Sequence, residues 1–277
     1  LLLAWGACRD DRLEREQAWP APRTLSVVIP TLNEAGGIAD CLRAVRDAGG
    51  ATQIIVADGG STDETPGIAA RHGALVVVSA PGRGEQIAAG ALAATGDVLA
   101  VLHADCRPAP GVFARMLAAL AARPAAPGGA VTMGYANGGS HGFTGPRAAF
   151  IAGLNNLRGL LASLSFGDQL QFVRREALNA MGGFPRLPLM EDVEFSLRLK
   201  ALGPCLFLGG GLVPLVRVSG RRWARTGFCA NAGGVVRLLG RWLLERRFGL
   251  NRAAGLYYAK YYGASVREDA ASNPHQP

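Results

Sequence analysis

Between Leu25 and Arg123, short apolar runs alternate with longer stretches whose apolar positions recur at helical spacing. No other feature of the chain constrains its fold as tightly. Leu25–Ile29 is an almost wholly apolar run closed by Pro30; Gln53–Ala57 ends at Asp58; Ala74–Val78 and Val98–Leu102 follow. Between them, Ile38–Ala48 sets Ile38, Cys41, Leu42 and Val45 on one helical face. Thr65–His72, the Ala-rich Arg83–Thr95 and Gly111–Arg123 also read as helices. Strands this short and apolar are buried on both faces, and the intervening helices act as right-handed crossovers. The pattern therefore predicts an α/β fold with a mostly parallel central sheet and helices on both faces. Ligands of such sheets gather at the carboxyl ends of the strands. Asn33, Glu34, Asp58, Asp63 and Asp105 all fall just after predicted strands.

Beyond residue 125 the pattern loosens. Gly128–Tyr135 is expected to be a strand, Pro146–Leu164 a helix, Gln169–Val173 a strand, Val193–Leu202 a helix and Cys205–Leu208 a strand. Gly233–Phe248 combines Val235, Val236, Leu238, Leu239, Trp242, Leu243 and Leu244 with Arg237, Arg241, Arg246 and Arg247, the pattern of a basic amphipathic helix. The expected organisation is a lead-in over 1–23, a domain over 24–225 with halves 24–123 and 124–225, basic helices over 226–262 and a disordered tail over 263–277. With 49% hydrophobic and 18% charged residues, the 277-residue chain has globular composition and length enough for a sizeable core.

Lys+Arg number 29 against 21 Asp+Glu, a net charge of +8, and the excess is local. From Arg217 to Lys260 nine arginines and one lysine face the single acid Glu245. Such a segment suits a nucleic acid, an anionic lipid or a phosphorylated ligand, and charge alone does not choose among them. The five cysteines are an odd, scattered set without a Cys-x-x-Cys pair, which excludes a zinc ribbon, disfavours a disulfide scaffold and suggests a reducing cytoplasm. The apolar stretch 201–216 is broken by Pro204 and Gly209–Gly211, so no membrane-spanning helix is expected. The first residue is Leu1 rather than Met, which reads as a truncated start, and Leu1–Leu3 are too few for a signal-peptide core.

Three segments carry residues suited to chemistry. In Asp58-Gly59-Gly60-Ser61-Thr62-Asp63, glycines admit a ligand to the backbone and the acids can accept from ribose hydroxyls or base N–H groups. The competing reading is an ordinary Asp/Gly turn with a hydroxyl capping the next helix. In His103-Ala104-Asp105, an imidazole and a carboxylate at a strand end could share a divalent ion, or His103 is simply a hydrogen-bonded histidine. In Glu191-Asp192-Val193-Glu194, adjacent acids suit a general base, while a helix N-terminus favours acids through its dipole alone.

Taken in order, these segments resemble glycosyltransferase family 2, the inverting transferases of GT-A fold that use nucleotide-sugar donors. Leu25-Ser26-Val27-Val28-Ile29-Pro30-Thr31-Leu32-Asn33-Glu34 is similar to the family's opening strand and donor turn, and Asp58–Asp63 to its second motif. Gly96–Asp105 sits where the metal-binding Asp-x-Asp lies, with His103 in place of the first Asp. Phe166-Gly167-Asp168-Gln169 and Glu191-Asp192 resemble the acceptor-side and catalytic motifs, and Ser219-Gly220-Arg221-Arg222-Trp223 resembles the Gln-x-x-Arg-Trp element with Ser for Gln. Within the family the chain is similar to a small soluble subgroup often labelled arsenosugar-biosynthesis-associated or carotenoid-acid (diaponeurosporenoate) glycosyltransferases.

The resemblance implies a GT-A fold over roughly 24–225, a nucleoside diphosphate sugar donor, an acceptor hydroxyl on a small molecule or lipid, and Mn²⁺ or Mg²⁺ as cofactor. It implies Asp192 as base and Pro30, Glu34, Asp58, Arg83, His103, Ala104, Asp105, Arg221, Arg222 and Trp223 around the donor. Asp105 and His103 would hold the metal, and Gly167, Asp168, Gln169 and Glu191 would orient the acceptor or base. Two other functions stay open: a related sugar nucleotidyltransferase, which lacks support because Thr31-Leu32-Asn33-Glu34 replaces the usual basic Gly-rich loop, and a non-catalytic nucleotide-sugar-binding or membrane-surface protein. Nucleic acid is not an expected partner, since no finger, zipper or RNP pattern accompanies the basic segment. The expected location is cytoplasmic, with 233–248 either packed on the core or lying on the anionic inner face of a membrane.

Overall fold

The computed structural model describes residues 18–136, 145–209, 213–220 and 228–248. Four parallel strands open the fold: β1 (Leu25–Thr31), β2 (Gln53–Asp58), β3 (Leu75–Val78) and β4 (Val98–Val101), joined by helices α1 (Ile38–Ala48), α2 (Thr65–Arg71) and α3 (Arg83–Ala93). β1 lies between β2 and β4, with Val28 opposite Ile55 on one side and Val101 on the other. The short strand β5 (Cys106–Pro108) and helix α4 (Val112–Ala122) follow. The second half supplies β6 (Gly128–Val131), β7 (Met133–Tyr135), α5 (Gly145–Ala162), β8 (Gln171–Arg174), α6 (Arg175–Ala180), α7 (Glu191–Leu202), β9 (Leu206–Leu208), β10 (Val216–Val218) and α8 (Phe228–Arg247). The main sheet has the order β3-β2-β1-β4-β8-β6-β9, and a small sheet has the order β5-β10-β7. β8 runs antiparallel to both β4 and β6, so the sheet is mostly, not wholly, parallel. This is the mixed α/β architecture of the GT-A fold.

Every residue of β1 is buried, because helices cover both faces. On one face Leu25, Val27 and Ile29 meet Ile38, Leu42 and Val45 of α1 together with Phe113 and Met116 of α4. On the other, Val28 joins Ile87 and Ala91 of α3 and Phe195 and Leu199 of α7. Each such aliphatic side chain, fully withdrawn from water, contributes roughly 1.5–3 kcal/mol.

Several boundaries differ from the sequence expectation for identifiable reasons. β1 does not stop at Pro30 but runs through it to Thr31. Proline lacks an N–H, yet pairing with β4 ends at Val28, so the strand is one-sided where Pro30 falls. The single strand expected over 128–135 is two strands, with β6 in the main sheet and β7 in the small one, separated at Thr132. The strand expected to begin at Gln169 begins at Gln171, because Gly167–Gln169 form a 3-10 turn. β5, α6 and β10 carry three to six residues each, too few for a periodicity to register.

Candidate active site

The loops after β1 and β2 are sewn to each other by short polar side chains. Thr62 N donates to Asn33 Oδ1 at 2.9 Å, Asn33 N to Ser61 Oγ at 2.9 Å and Glu34 N to Thr65 Oγ1 at 2.8 Å. Asn33 sits at φ 54°, a conformation that asparagine tolerates better than most residues. Asp58, buried at the strand end, receives Gly60 N at 3.0 Å and Ser61 N at 2.9 Å on Oδ2, and the hydroxyls of Ser61 and Thr31 on Oδ1. Four donors fill a carboxylate's usual capacity, so the turn reading describes Asp58 in the free protein. Burial would raise the Asp63 carboxyl, but the hydroxyl and N–H of Thr65 and the N–H of Ala35 outweigh it and lower its pKa. Pro30 lies buried in the strand, and Gln86 of α3 closes the strand ends by donating to the carbonyls of Thr31 and Ala57.

The second group converges from three places in the chain: the β4–β5 turn, the 3-10 turn before β8, and the first turn of α7. Asp192 accepts Gly167 N on Oδ2 and Val193 N on Oδ1, each at 2.8 Å. Its own carbonyl receives Gln171 Nε2 at 3.0 Å, which ties α7 to the adjacent strand β8. Gly167 cannot carry a side chain here, because a Cβ would lie 2.5 Å from His103 Nε2. That nitrogen is buried and has no hydrogen-bond partner among the described residues. Burial, reinforced by the Arg83 charge, pushes the imidazole down to about 3, so His103 is neutral at physiological pH.

Burial raises Asp168 to about 6; Arg158 pulls the other way, Asp192 and Asp105 push further up, and Arg83 opposes them. Asp105, Asp168 and Asp192 thus share one electrostatic neighbourhood. Glu191, wholly buried, is raised to about 7 by burial against the pull of Arg83, whose Nε stands 2.8 Å from Oε1, with Asp192 adding to the rise. Glu34 reaches the same edge: it and Asp105 both bear on the buried Cys41 thiol, which burial drives up to about 12. Ala104 is buried, and its carbonyl accepts from Arg107.

The expected residues His103, Asp105, Gly167, Asp168, Glu191, Asp192 and Arg83 come together, and Gln169 supports them from behind. Gln169 Oε1 accepts Arg158 Nη2 and Phe166 N, both at 3.1 Å. Arg221, Arg222 and Trp223 lie outside the described residues. Glu191 and Asp192 lie inside α7 rather than ahead of it, preceded by Met190 in the left-handed region at φ 65°. Sequence reading missed Arg158, stacked 3.4 Å over the Phe166 ring, and Gln171; neither carries a signal, since one sits mid-helix and the other in a strand. Among the described residues no three His, Cys, Asp or Glu side chains close a metal cage by themselves.

The family model described as "Glycosyl transferase family 2" matches residues 26–179, more than half of the chain. A glycosyltransferase of Mycobacterium bovis, described as uncharacterized, is 46% identical over 82 residues, covering 29% of this chain and 36% of that protein. The low-salt glycan biosynthesis hexosyltransferase Agl6 of Haloferax volcanii is 47% identical over 88 residues, covering 30% of this chain and 21% of that protein. The matches thus span about a third or less of these relatives' length. The crystal structure of S. aureus TarS 1-349 in complex with UDP-GlcNAc superimposes with a TM-score of 0.53 at 17% identity, covering 71% of this chain and 58% of that one. At that identity the likeness is one of fold.

Proposed function

The chain belongs to glycosyl transferase family 2, and from that premise we propose that it transfers a sugar from a nucleoside diphosphate donor to an acceptor hydroxyl in one inverting displacement, with Asp192 as general base. The observation that carries the reading is the hold on Asp192: two backbone N–H groups at 2.8 Å take one lone pair from each oxygen. About two lone pairs remain for an incoming hydroxyl, on a side chain whose position is already fixed. Asp168 and Glu191 stand beside it as orienting groups rather than a second nucleophile. A single base without a covalent intermediate accords with inversion.

The donor side is assigned to Glu34, Arg83 and the backbone near Ala104, with Asp58 and Pro30 acting through the strand ends they shape. Arg221, Arg222 and Trp223 complete it in this proposal, since guanidinium forks suit phosphate oxygens. Arg83 already faces Glu191, so an arriving diphosphate would compete for a guanidinium the protein keeps oriented. Mn²⁺ or Mg²⁺ fits the residues present: such ions take one or two protein groups and complete their shell with phosphate and water. Asp105 offers a carboxylate, and His103 a neutral ring with a buried, unpartnered nitrogen. When bound, the ion offsets charge growing on the leaving diphosphate.

A donor panel of UDP-, GDP- and dTDP-sugars, read as released nucleoside diphosphate with and without Mn²⁺, tests the proposal. Cation-dependent release from at least one donor is expected; release from none would contradict it.

A further inference from the structure

Helix α5 carries most of its large apolar side chains on the wrong side for a surface helix. Its inner face buries Ala148, Ala152 and Gly159 with Ile151 as the one large apolar side chain, and a Cβ on Gly159 would lie 2.3 Å from the Phe207 ring. The helix therefore comes close to β9 at Gly159, while Asn156 holds it to both backbone groups of Met133 in β7. Phe150, Leu154, Leu157 and Leu161 point outward, 58%, 49%, 49% and 74% exposed. Their spacing puts them on one stripe about 16 Å long. An ordinary amphipathic helix has the reverse arrangement, and a contiguous exposed apolar stripe marks a docking surface.

Helix α8 extends the patch. Leu238 and Leu239 cluster with Leu164 and Phe166, just beyond the end of α5, and Leu243, Leu244 and Phe248 are exposed at 41%, 61% and 69%. The two helices together contain a single acid, Glu245, which Arg241 holds at 2.9 Å. Arg147, Arg237, Arg241 and Arg247 are exposed on them.

We propose that this face docks on an anionic lipid surface. A leaflet with negative headgroups accommodates both the apolar stripe and the arginines, whereas a second copy of the chain would bring two arginine-bearing, acid-poor faces together. The turn bearing Gly167 and Asp168 follows α5 closely, and Arg158 of α5 donates to Gln169 in that turn. Docking would therefore hold the acidic cluster next to the lipid. Resting on the transferase reading above, this makes a lipid-borne hydroxyl the acceptor class.

The test is co-sedimentation of the 277-residue chain with phosphatidylcholine vesicles, with and without phosphatidylglycerol. Binding is expected only with phosphatidylglycerol, falling as salt rises. Leu154→Gln/Leu157→Gln/Leu161→Gln should lower partitioning at least tenfold through lost apolar burial, and Arg237→Gln/Arg241→Gln should do so too, as loss of roughly fivefold per arginine implies. Both variants alter exposed positions, so their melting temperatures and vesicle-free donor hydrolysis should match the parent; binding and hydrolysis can thus fail independently. Variants that bind as well as the parent, or a parent that stays in the supernatant, would overturn the proposal. So would a dimer seen by light scattering that the leucine variant abolishes, or retention by a single-stranded oligonucleotide without vesicle binding.

Discussion

Gly167 is the residue on which the site's geometry turns. Its N–H fixes Asp192, and its missing side chain makes room for the His103 ring. Gly167→Ala should lower stability by about 1–3 kcal/mol through overpacking and depress turnover more than donor affinity. Gly36→Ala, where nothing lies within 4 Å, should do neither. Melting temperatures and a kcat-against-KM comparison check both. Glu191 gives a second, pH-dependent handle. Its pKa is raised to about 7 in the folded protein from 4.5, so between those values the native state holds the extra proton. Stability from this group is therefore present at low pH and lost as pH rises through the window, by roughly 3 kcal/mol at most. Glu191→Gln should remove that slope, seen as a difference between the two proteins' pH–stability curves. A wild-type curve parallel to the variant's from pH 4.5 to 7 would refute the assignment. His103 and Asp105 were legible as a pair because both follow a strand. The neutrality of His103 was not, since it depends on burial that residues of another half of the chain provide.

At the scale of elements, the placement of Asp192 depends on how α7 starts. Met190, left-handed at φ 65°, turns the chain into the helix, and such backbone persists only where surroundings hold it. Here Met190, Leu189 and Val193 pack with Trp242 of α8, which is 4% exposed. Arg246 of α8 adds a 2.7 Å ion pair to Glu194 of α7. Trp242→Ala should cost about 3 kcal/mol, open α8 to trypsin at Arg241 and Arg246, and reduce turnover without touching a reacting group. Unchanged cleavage and turnover would show that α8 does not support α7. The helices and strands of the first half were readable because each is a local pattern of period 3.6 or 2. The start of β8 is not legible in the sequence, because a 3-10 turn and a strand share the same polar letters. The break between β6 and β7 is not legible either, because only the sheets they join, not their sequence, distinguish them.

For the whole molecule, net charge proved a poor guide to surface. Arg174 counts toward the +8 yet is 1% exposed. Its guanidinium donates to the carbonyls of Ala126, Leu120 and Pro20 at 2.8, 2.6 and 2.5 Å, tying β8 to the loop before β6, to α4 and to the N-terminal segment. Arg174→Met should destabilise the whole fold by about 3 kcal/mol, because the buried carbonyls of Ala126 and Leu120 lose a charged donor, and urea midpoints measure it. The sequence order of the motifs pointed to one edge of one sheet, and the residues at 103–105, 167–168 and 191–192 do meet there. What ordering alone could not convey was who holds whom: Arg83 on Glu191, Arg158 on Gln169, Gln171 on the carbonyl of Asp192. In the proposed reaction the Asp192 carboxylate takes the acceptor proton. Nucleoside diphosphate release and label transfer are compared for the wild type and Asp192→Asn with the preferred donor, at matched folding by circular dichroism. A loss of about 10²–10⁴-fold is expected in the variant with donor binding retained; a variant turning over at the wild-type rate would rule Asp192 out as the base.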